Sequence, residues 1–258
     1  MHPFITFLGN VYPSFTIFGL AGFFVAVGVA CTRTKRYGCQ MSDPLYIGVF
    51  AGIGLLIGSS LLFAIINLPQ MWPYRDIIFT DFTGFMSQLF GGMVFYGGLF
   101  GAVGGLFAYA KIMRQPLGTA LKLCIPVMPL AHAIMRIGCF MAGCCFGIQH
   151  QCGIVFTRSI SAPNNVPLLP VQLYEAAINL CIFIGLWIFT KRERKWQITA
   201  CIYGICYSVA RFCLEYLRGD AARGFALGFS TSQLISIALF FGCISYLIGG
   251  KLCKIKNM

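Results

Sequence analysis

Long apolar runs alternate with short polar or basic stretches along the whole chain. A helix that crosses a bilayer needs about 20 mainly apolar residues. The runs predict seven such helices: Ser14–Cys31, Pro44–Ile66, Gln88–Ile112, Gly118–Ala142, Val171–Thr190, Ile198–Tyr216 and Thr231–Gly250. No large soluble domain and no low-complexity linker interrupts them. The expected fold is therefore an all-α integral membrane protein, a seven-transmembrane-helix bundle forming one polytopic domain over residues 1–258. Met1–Tyr12 carries no evident cleavable signal, so the first run is expected to stay as an anchor.

The polar stretches differ in charge. Arg33, Lys35 and Arg36 follow the first predicted helix, and Lys111 and Arg114 the third. Lys191, Arg192, Arg194 and Lys195 follow the fifth, and Lys251, Lys254 and Lys256 the seventh. The opposite loops hold only Arg75, then Arg158, then Arg218 and Arg223. Cytoplasmic loops are rich in Lys and Arg, which predicts the N-terminus outside and the C-terminus in the cytoplasm.

Composition supports this reading and removes one alternative. Hydrophobic residues make up 58% of the chain and charged residues 10%, against roughly 25% charged in soluble domains. The net charge of +12 sits in clusters between apolar runs, so it orients the chain in a membrane and implies no nucleic acid partner. Most of the 13 cysteines lie singly in apolar runs, as small buried hydrophobes do. Cys139, Cys144, Cys145 and Cys152 cluster, but without the paired C-x2-C units of a zinc site. No metal site is expected. A disulfide on the outer face, inert thiols and a reactive thiol all remain open readings.

Glycines suggest how the helices meet. Gly48 and Gly52, Gly54 and Gly58, and Gly97, Gly101 and Gly105 have the spacing that lets helix backbones approach closely. The other reading is a glycine face that accommodates a lipid.

Ionisable residues inside a membrane are costly and tend to be functional. His132 and Arg136 stand four apart and share a helix face, which Cys139 and Gly143 extend. A guanidinium there suits either a carboxylate on a neighbouring helix or a phosphate. Arg211 and Glu215 are also four apart and read as an internal pair. Glu175 needs a partner, with Arg136 and Arg211 as the candidates. Arg218, with Asp220 and Arg223 beyond it, suits an anionic headgroup or a snorkelling rim. Gln172, Tyr174 and Glu175 open the fifth predicted helix on the same side.

Four segments, in order, resemble motifs of the prolipoprotein diacylglyceryl transferase family. They are Gly91-Gly-Met-Val-Phe-Tyr-Gly-Gly-Leu-Phe-Gly101, Arg136-Ile-Gly-Cys-Phe-Met-Ala-Gly-Cys-Cys-Phe-Gly147, Pro170-Val-Gln-Leu-Tyr-Glu175 and Arg211-Phe-Cys-Leu-Glu-Tyr-Leu-Arg-Gly-Asp220. The resemblance covers nearly the whole chain and includes the N-out, C-in orientation. It implies a bacterial inner-membrane enzyme, with its active site toward the outer face. Such an enzyme moves the diacylglyceryl group of phosphatidylglycerol to the lipobox cysteine thiol of a prolipoprotein, forming a thioether and releasing glycerol phosphate. Its partners would be that lipid, the prolipoprotein signal peptide and surrounding membrane lipids, with no cofactor and a monomeric enzyme.

By motif position, Arg136 and Arg218 correspond to the family's essential arginines. Gly97, Gly98, Cys139, Gly143, Cys144, Gln172, Tyr174, Glu175, Arg211 and Glu215 fall at substrate-binding positions. Tyr96 stands where the family prototype has histidine, and Cys139 and Cys144 where it has asparagine and glutamate. Phe18 replaces a tyrosine and Ser60 an arginine. The chain is similar to a branch with this cysteine-rich signature and a histidine before its arginine. A phenol is a poor base at neutral pH, so His132 is expected to handle the proton unless no strong base is needed. Other readings keep the fold with a different acceptor, make the cysteine cluster a membrane thiol–disulfide centre, or make the chain a non-catalytic lipid binder.

Overall fold

The computed structural model describes residues 2–7, 9–159, 161–220, 225–226 and 228–256. The elements are β1 (Phe4–Phe7), β2 (Asn10–Pro13), α1 (Ser14–Cys31), α2 (Asp43–Met71), α3 (Phe82–Phe90), α4 (Phe95–Ile112), α5 (Leu117–Cys124), α6 (Met128–Ala142), β3 (Gln149–Val155), β4 (Pro167–Leu168), α7 (Val171–Phe189), α8 (Trp196–Glu215), β5 (Phe225–Ala226), β6 (Phe229–Ser230) and α9 (Thr231–Lys256). Helices dominate, and among the described residues the strands form three separate antiparallel pairs, β1 with β2, β3 with β4 and β5 with β6. Among the described residues, five helices are long and apolar enough to cross a membrane, or six if α5 and α6 form one bent span. The chain is a multi-pass membrane protein of helices.

Helix boundaries depart from the sequence expectation in four places. The predicted helix Gln88–Ile112 is broken: α3 ends at Phe90 and α4 starts at Phe95. Adjacent Gly91 and Gly92 are weak helix formers. The amide of Val94, freed by the break, donates to Ser59 O at 3.3 Å. The predicted helix Gly118–Ala142 bends by 47° between α5 and α6, where Pro126 lacks an amide and disfavours helix in the residue before it. The predicted Pro44–Ile66 helix runs on to Met71, with Pro69 inside it. The last helix continues to Lys256.

The chain divides into two compact units, residues 1–30 with 124–258, and residues 31–123. In the second unit α2 and α4 pack backbone to backbone. A Cβ at Gly101 would stand 2.0 Å from Gly54 O, one at Gly97 2.3 Å from Gly58 O, and one at Gly105 2.1 Å from Phe50 O. The spacing of Gly54, Gly58, Gly97, Gly101 and Gly105 is therefore a packing signal. Gly52 has open space around it and takes no part. Outward faces are apolar, with Ile65 67% and Phe100 73% exposed, as helices surrounded by lipid require. Ala64, Phe85 and Leu89 form a buried cluster joining α2 to α3.

In the first unit α1 packs on α6. A Cβ at Gly22 would meet Ala131 O at 2.8 Å, and one at Gly138 would meet Phe18 Cβ at 2.6 Å. Ala26, Ala30 and Val127 are buried together under Phe183 and Trp187 of α7. Beyond α6, Phe156, Ala162 and Leu168 form a second cluster with Phe140 and Phe146. It anchors the loop that follows α6 to the β3–β4 pair.

Candidate active site

Three helices of the first unit bring polar side chains together in an otherwise apolar bundle. On α6, Arg136 Nε donates to His132 Nε2 at 3.2 Å across one helical turn. On α7, Gln172, Glu175 and Asn179 share one face and are all buried. On α8, Thr199, Tyr203, Tyr207, Arg211 and Glu215 recur at every fourth position and draw a polar stripe along the helix.

Glu175 joins the first two helices. Its Oε1 lies 2.9 Å from Arg136 Nη2 and 3.5 Å from His132 Nε2. The pair is largely buried, with the side chains 12% and 4% exposed. Alignment falls short of a hydrogen bond at Glu175 Oε1, so the contact is ionic. Because His132 Nε2 accepts from Arg136, the neutral imidazole carries its proton on Nδ1. The His132 ring also stands 5.6 Å from that of Tyr207, which ties α8 to the same cluster.

Arg211 and Arg218 each face a carboxylate as well. Arg211 Nη1 is 2.8 Å from Glu215 Oε2, and Arg211 Nη2 donates to Ser232 Oγ on α9 at 3.1 Å. Arg218 grips Asp220 with two hydrogen bonds, Nε to Oδ1 at 3.1 Å and Nη2 to Oδ2 at 2.8 Å. Of the two candidate partners for Glu175, Arg136 is the one in contact. Arg223 lies outside the described residues.

A backbone ladder sets Arg218 beside the segment after α6. Gly147 N donates to Leu169 O at 3.0 Å and Leu169 N to Ile148 O at 3.0 Å. On the other side Ile148 N donates to Leu217 O at 2.9 Å and Gly219 N to Phe146 O at 3.0 Å. Gly147 and Arg218 form the antiparallel bridge at its centre. Side chains are excluded there: a Cβ at Gly147 would stand 2.6 Å from Leu169 O, and one at Gly219 2.5 Å from Gly147 O. Three segments distant in sequence thus meet through main-chain bonds, whose mark in the sequence is the pair Gly147 and Gly219.

Gly143 shapes the turn that feeds this ladder. It closes α6 with φ 73°, its amide bonding back to Cys139 O and Phe140 O, the left-handed helix stop that glycine favours. A Cβ there would press on Ser159 Cβ at 2.4 Å. Its contribution is therefore conformational. Cys144 N then bonds to Cys139 O at 3.1 Å, and Gln172 Nε2 donates to Cys144 O at 2.6 Å. Gln172 Oε1 and Asn179 Oδ1 are buried without a hydrogen-bond partner, a costly state that a bound polar group would relieve.

The expected site residues separate in space as follows. His132, Arg136, Cys139, Gly143, Cys144, Gln172, Glu175, Arg211, Glu215 and Arg218 all belong to the first unit and line these connected elements. Tyr174 faces away from the buried α7 face and is 40% exposed. Cys152 is exposed and stands apart from the other three clustered cysteines, whose sulfurs lie within 4.8 Å of one another. Tyr96, Gly97 and Gly98 belong to the second unit, where Gly97 and Gly98 are buried against α2. The sequence reading left out Asn179, Tyr203 and Tyr207. The fourfold repeat on α8 and the turn from Glu175 to Asn179 were the signals that point to them.

The chain matches the family model described as prolipoprotein diacylglyceryl transferase over residues 5–249. It is 33% identical over 236 residues to a phosphatidylglycerol–prolipoprotein diacylglyceryl transferase of Clostridium tetani, covering 86% of this chain and 91% of that protein. It is 30% identical over 241 residues to a second enzyme of that name, numbered 2, of Clostridium perfringens, covering 88% and 91%. A namesake in Dehalococcoides mccartyi is 29% identical over 211 residues, covering 80% and 78%.

Proposed function

The chain belongs to the prolipoprotein diacylglyceryl transferase family, and from that premise we propose how its own residues perform the transfer. The substrates are phosphatidylglycerol and the lipobox cysteine of a prolipoprotein. The cysteine sulfur attacks the glyceryl carbon that carries the phosphate. A carbon–sulfur bond forms, the carbon–oxygen bond breaks, and glycerol phosphate leaves with that electron pair. The thiol proton passes to a base or to the departing phosphate.

The observation that carries this reading is the Gly147–Arg218 backbone bridge, which sets Arg218 beside the segment leaving the helix that carries Arg136. The leaving phosphate is anionic throughout and gains charge as the bond breaks. Guanidinium groups fixed beforehand in a water-poor site stabilise that gain. A guanidinium has five N–H donors; one of those on Arg136 goes to His132, and Glu175 holds the group by charge. The carboxylate orients the group and the other donors serve the phosphate. Asp220 holds Arg218 in the same way.

His132 is the proton-handling group in this proposal: its Nε2 exchanges the hydrogen bond from Arg136 for the thiol proton, and Glu175, 3.5 Å away, then holds the imidazolium. Tyr96, at the prototype's histidine position, is a weak base, its unperturbed pKa being about 10. Gln172, with its buried unpaired Oε1, orients a headgroup hydroxyl. Gly97, Gly98, Cys139, Gly143, Cys144, Tyr174, Arg211 and Glu215 are taken as substrate-binding by motif position.

We place the protein in the bacterial inner membrane as a monomer, N-terminus outside and C-terminus in the cytoplasm. Helix α4 adds a seventh span to the five helices and the bent pair. Its 18 residues extend about 27 Å, close to the hydrocarbon thickness of about 30 Å. The cluster then opens toward the outer face, where prolipoproteins emerge.

The test is direct. Purified enzyme is incubated with phosphatidylglycerol and a lipobox peptide, and the peptide is weighed by mass spectrometry. A diacylglyceryl increment on the cysteine is expected. An unmodified peptide, together with failure to complement a strain depleted of its own transferase, would overturn the assignment of the acceptor.

A further inference from the structure

Each sulfur of Cys139, Cys144 and Cys145 lies within 4.8 Å of the other two. We propose that these three thiols form a binding site for one thiophilic d10 cation, Zn(II) or Cu(I), at the end of α6. The inference is independent of the transfer reaction.

The fold builds this site from a spacing that sequence rules pass over. Cys139 lies in the last turn of α6. Gly143 reverses the chain at φ 73°. Cys145 adopts φ 56°, a left-handed conformation uncommon for a residue with a Cβ. Helix end and reversal together stack three side chains that C-x4-C-C would otherwise splay. Thiolates bound to zinc at about 2.3 Å stand roughly 3.8–4.0 Å apart. The sulfurs, within 4.8 Å of one another, stand within about 1 Å of that spacing.

Electrostatics favours the bound form. Three thiolates around Cu(I) carry two net negative charges, and around Zn(II) one. The guanidinium groups of Arg136 and Arg218 act on Cys145 and offset part of that charge, the rest of their own being taken by Glu175 and Asp220. An all-sulfur donor set selects soft and borderline ions over Mg(II) or Ca(II). Binding exchanges three S–H bonds for three metal–sulfur bonds and releases three protons.

The experiment uses the full-length protein, reduced and freed of reductant in detergent. Zn(II), Cu(I) or Cd(II), the last as a spectroscopic stand-in for zinc, is added and excess removed. Metal content is measured by mass spectrometry and cadmium–thiolate absorption in the ultraviolet. We expect one ion per chain, retained in Cys152→Ser. Affinity should fall by roughly 100-fold or more in Cys144→Ser and Cys145→Ser, since even outer-shell partners cost 10–100-fold. In the wild type, which needs no variant to fold, metal should shield Cys139, Cys144 and Cys145 from maleimide. Alkylation of all three in metal-treated wild type would overturn the site. So would equal metal content in wild type and Cys145→Ser, or a disulfide joining two of the three in freshly reduced anaerobic protein.

Discussion

Arg136 on α6 and Glu175 on α7 meet at 2.9 Å in the buried part of the bundle. Two helices separated by a long loop are thereby joined by opposite charges that neither could bury alone. Replacing Glu175 with Ala should destabilise the protein by ~3–5 kcal/mol, because an unpaired guanidinium stays behind. Arg136→Ala should cost a similar amount and also abolish transfer. The double variant Arg136→Met with Glu175→Leu should regain most of the stability and none of the activity. Thermal unfolding in detergent and the peptide mass assay separate the two effects.

His132 receives a hydrogen bond from Arg136 at 3.2 Å. Proton handling in the transition state is typically worth ~100–10,000-fold. His132→Ala should therefore lose roughly that factor in kcat. His132→Gln can still accept from Arg136 yet cannot carry the proton, so it should stay slow. Full activity in His132→Ala would sink the role, and activity recovered in His132→Gln would reduce it to positioning Arg136.

The ladder holding Arg218 has no room for a side chain at Gly219, where a Cβ would lie 2.5 Å from Gly147 O. Gly219→Ala should cost ~1–3 kcal/mol by overpacking and lower kcat by moving Arg218. Gly185→Ala, on α7 with open space around it, should leave both quantities unchanged or raise stability slightly. The comparison is made by unfolding midpoint and turnover.

In the second unit Gly101 is the tightest point of the α2–α4 contact, a Cβ there meeting Gly54 O at 2.0 Å. Gly101→Ala should separate the helices and destabilise by ~1–3 kcal/mol. Gly104→Ala, on the same helix but facing open space, should gain ~0.5–1 kcal/mol from helix propensity. Unfolding by denaturing detergent reports both signs.

Asp81 caps α3, accepting from the Gly84 amide at 2.9 Å and from the Thr83 hydroxyl at 3.0 Å. The amide bond first, then the hydroxyl, hold its carboxyl below the usual carboxylate range. A depressed acid stabilises the folded state above its unfolded pKa, ~3.9, and loses that contribution as pH falls through the lower folded value. Amide exchange at Gly84, corrected for intrinsic rate, should therefore accelerate only in strong acid. In Asp81→Ala it should be fast at every pH.

Much of the candidate site was legible in one dimension because helices impose a fixed period. His132 with Arg136, and Arg211 with Glu215, are neighbours on any α-helix, and the structure keeps both contacts. Glycines at four-residue spacing marked the α2–α4 contact for the same reason. The cysteines were harder to read. Their spacing argued against a ligand set, yet Gly143 and Cys145, both in left-handed conformations, fold three of them together and leave Cys152 apart.

Sequence alone determined the membrane character, most of the apolar helices and the family, because each depends on composition, period or motif order. It did not determine where α4 begins or where the α5–α6 span bends, since two glycines and one proline shift a local balance that neighbouring helices then complete. Nor did it choose Arg136 over Arg211 as the partner of Glu175. Only the tertiary structure decided that choice, the placing of Arg218 beside Gly147 and the grouping of three sulfurs. The reason is physical: these relations run through space, between backbone amides and across helix faces, where no sequence period constrains them.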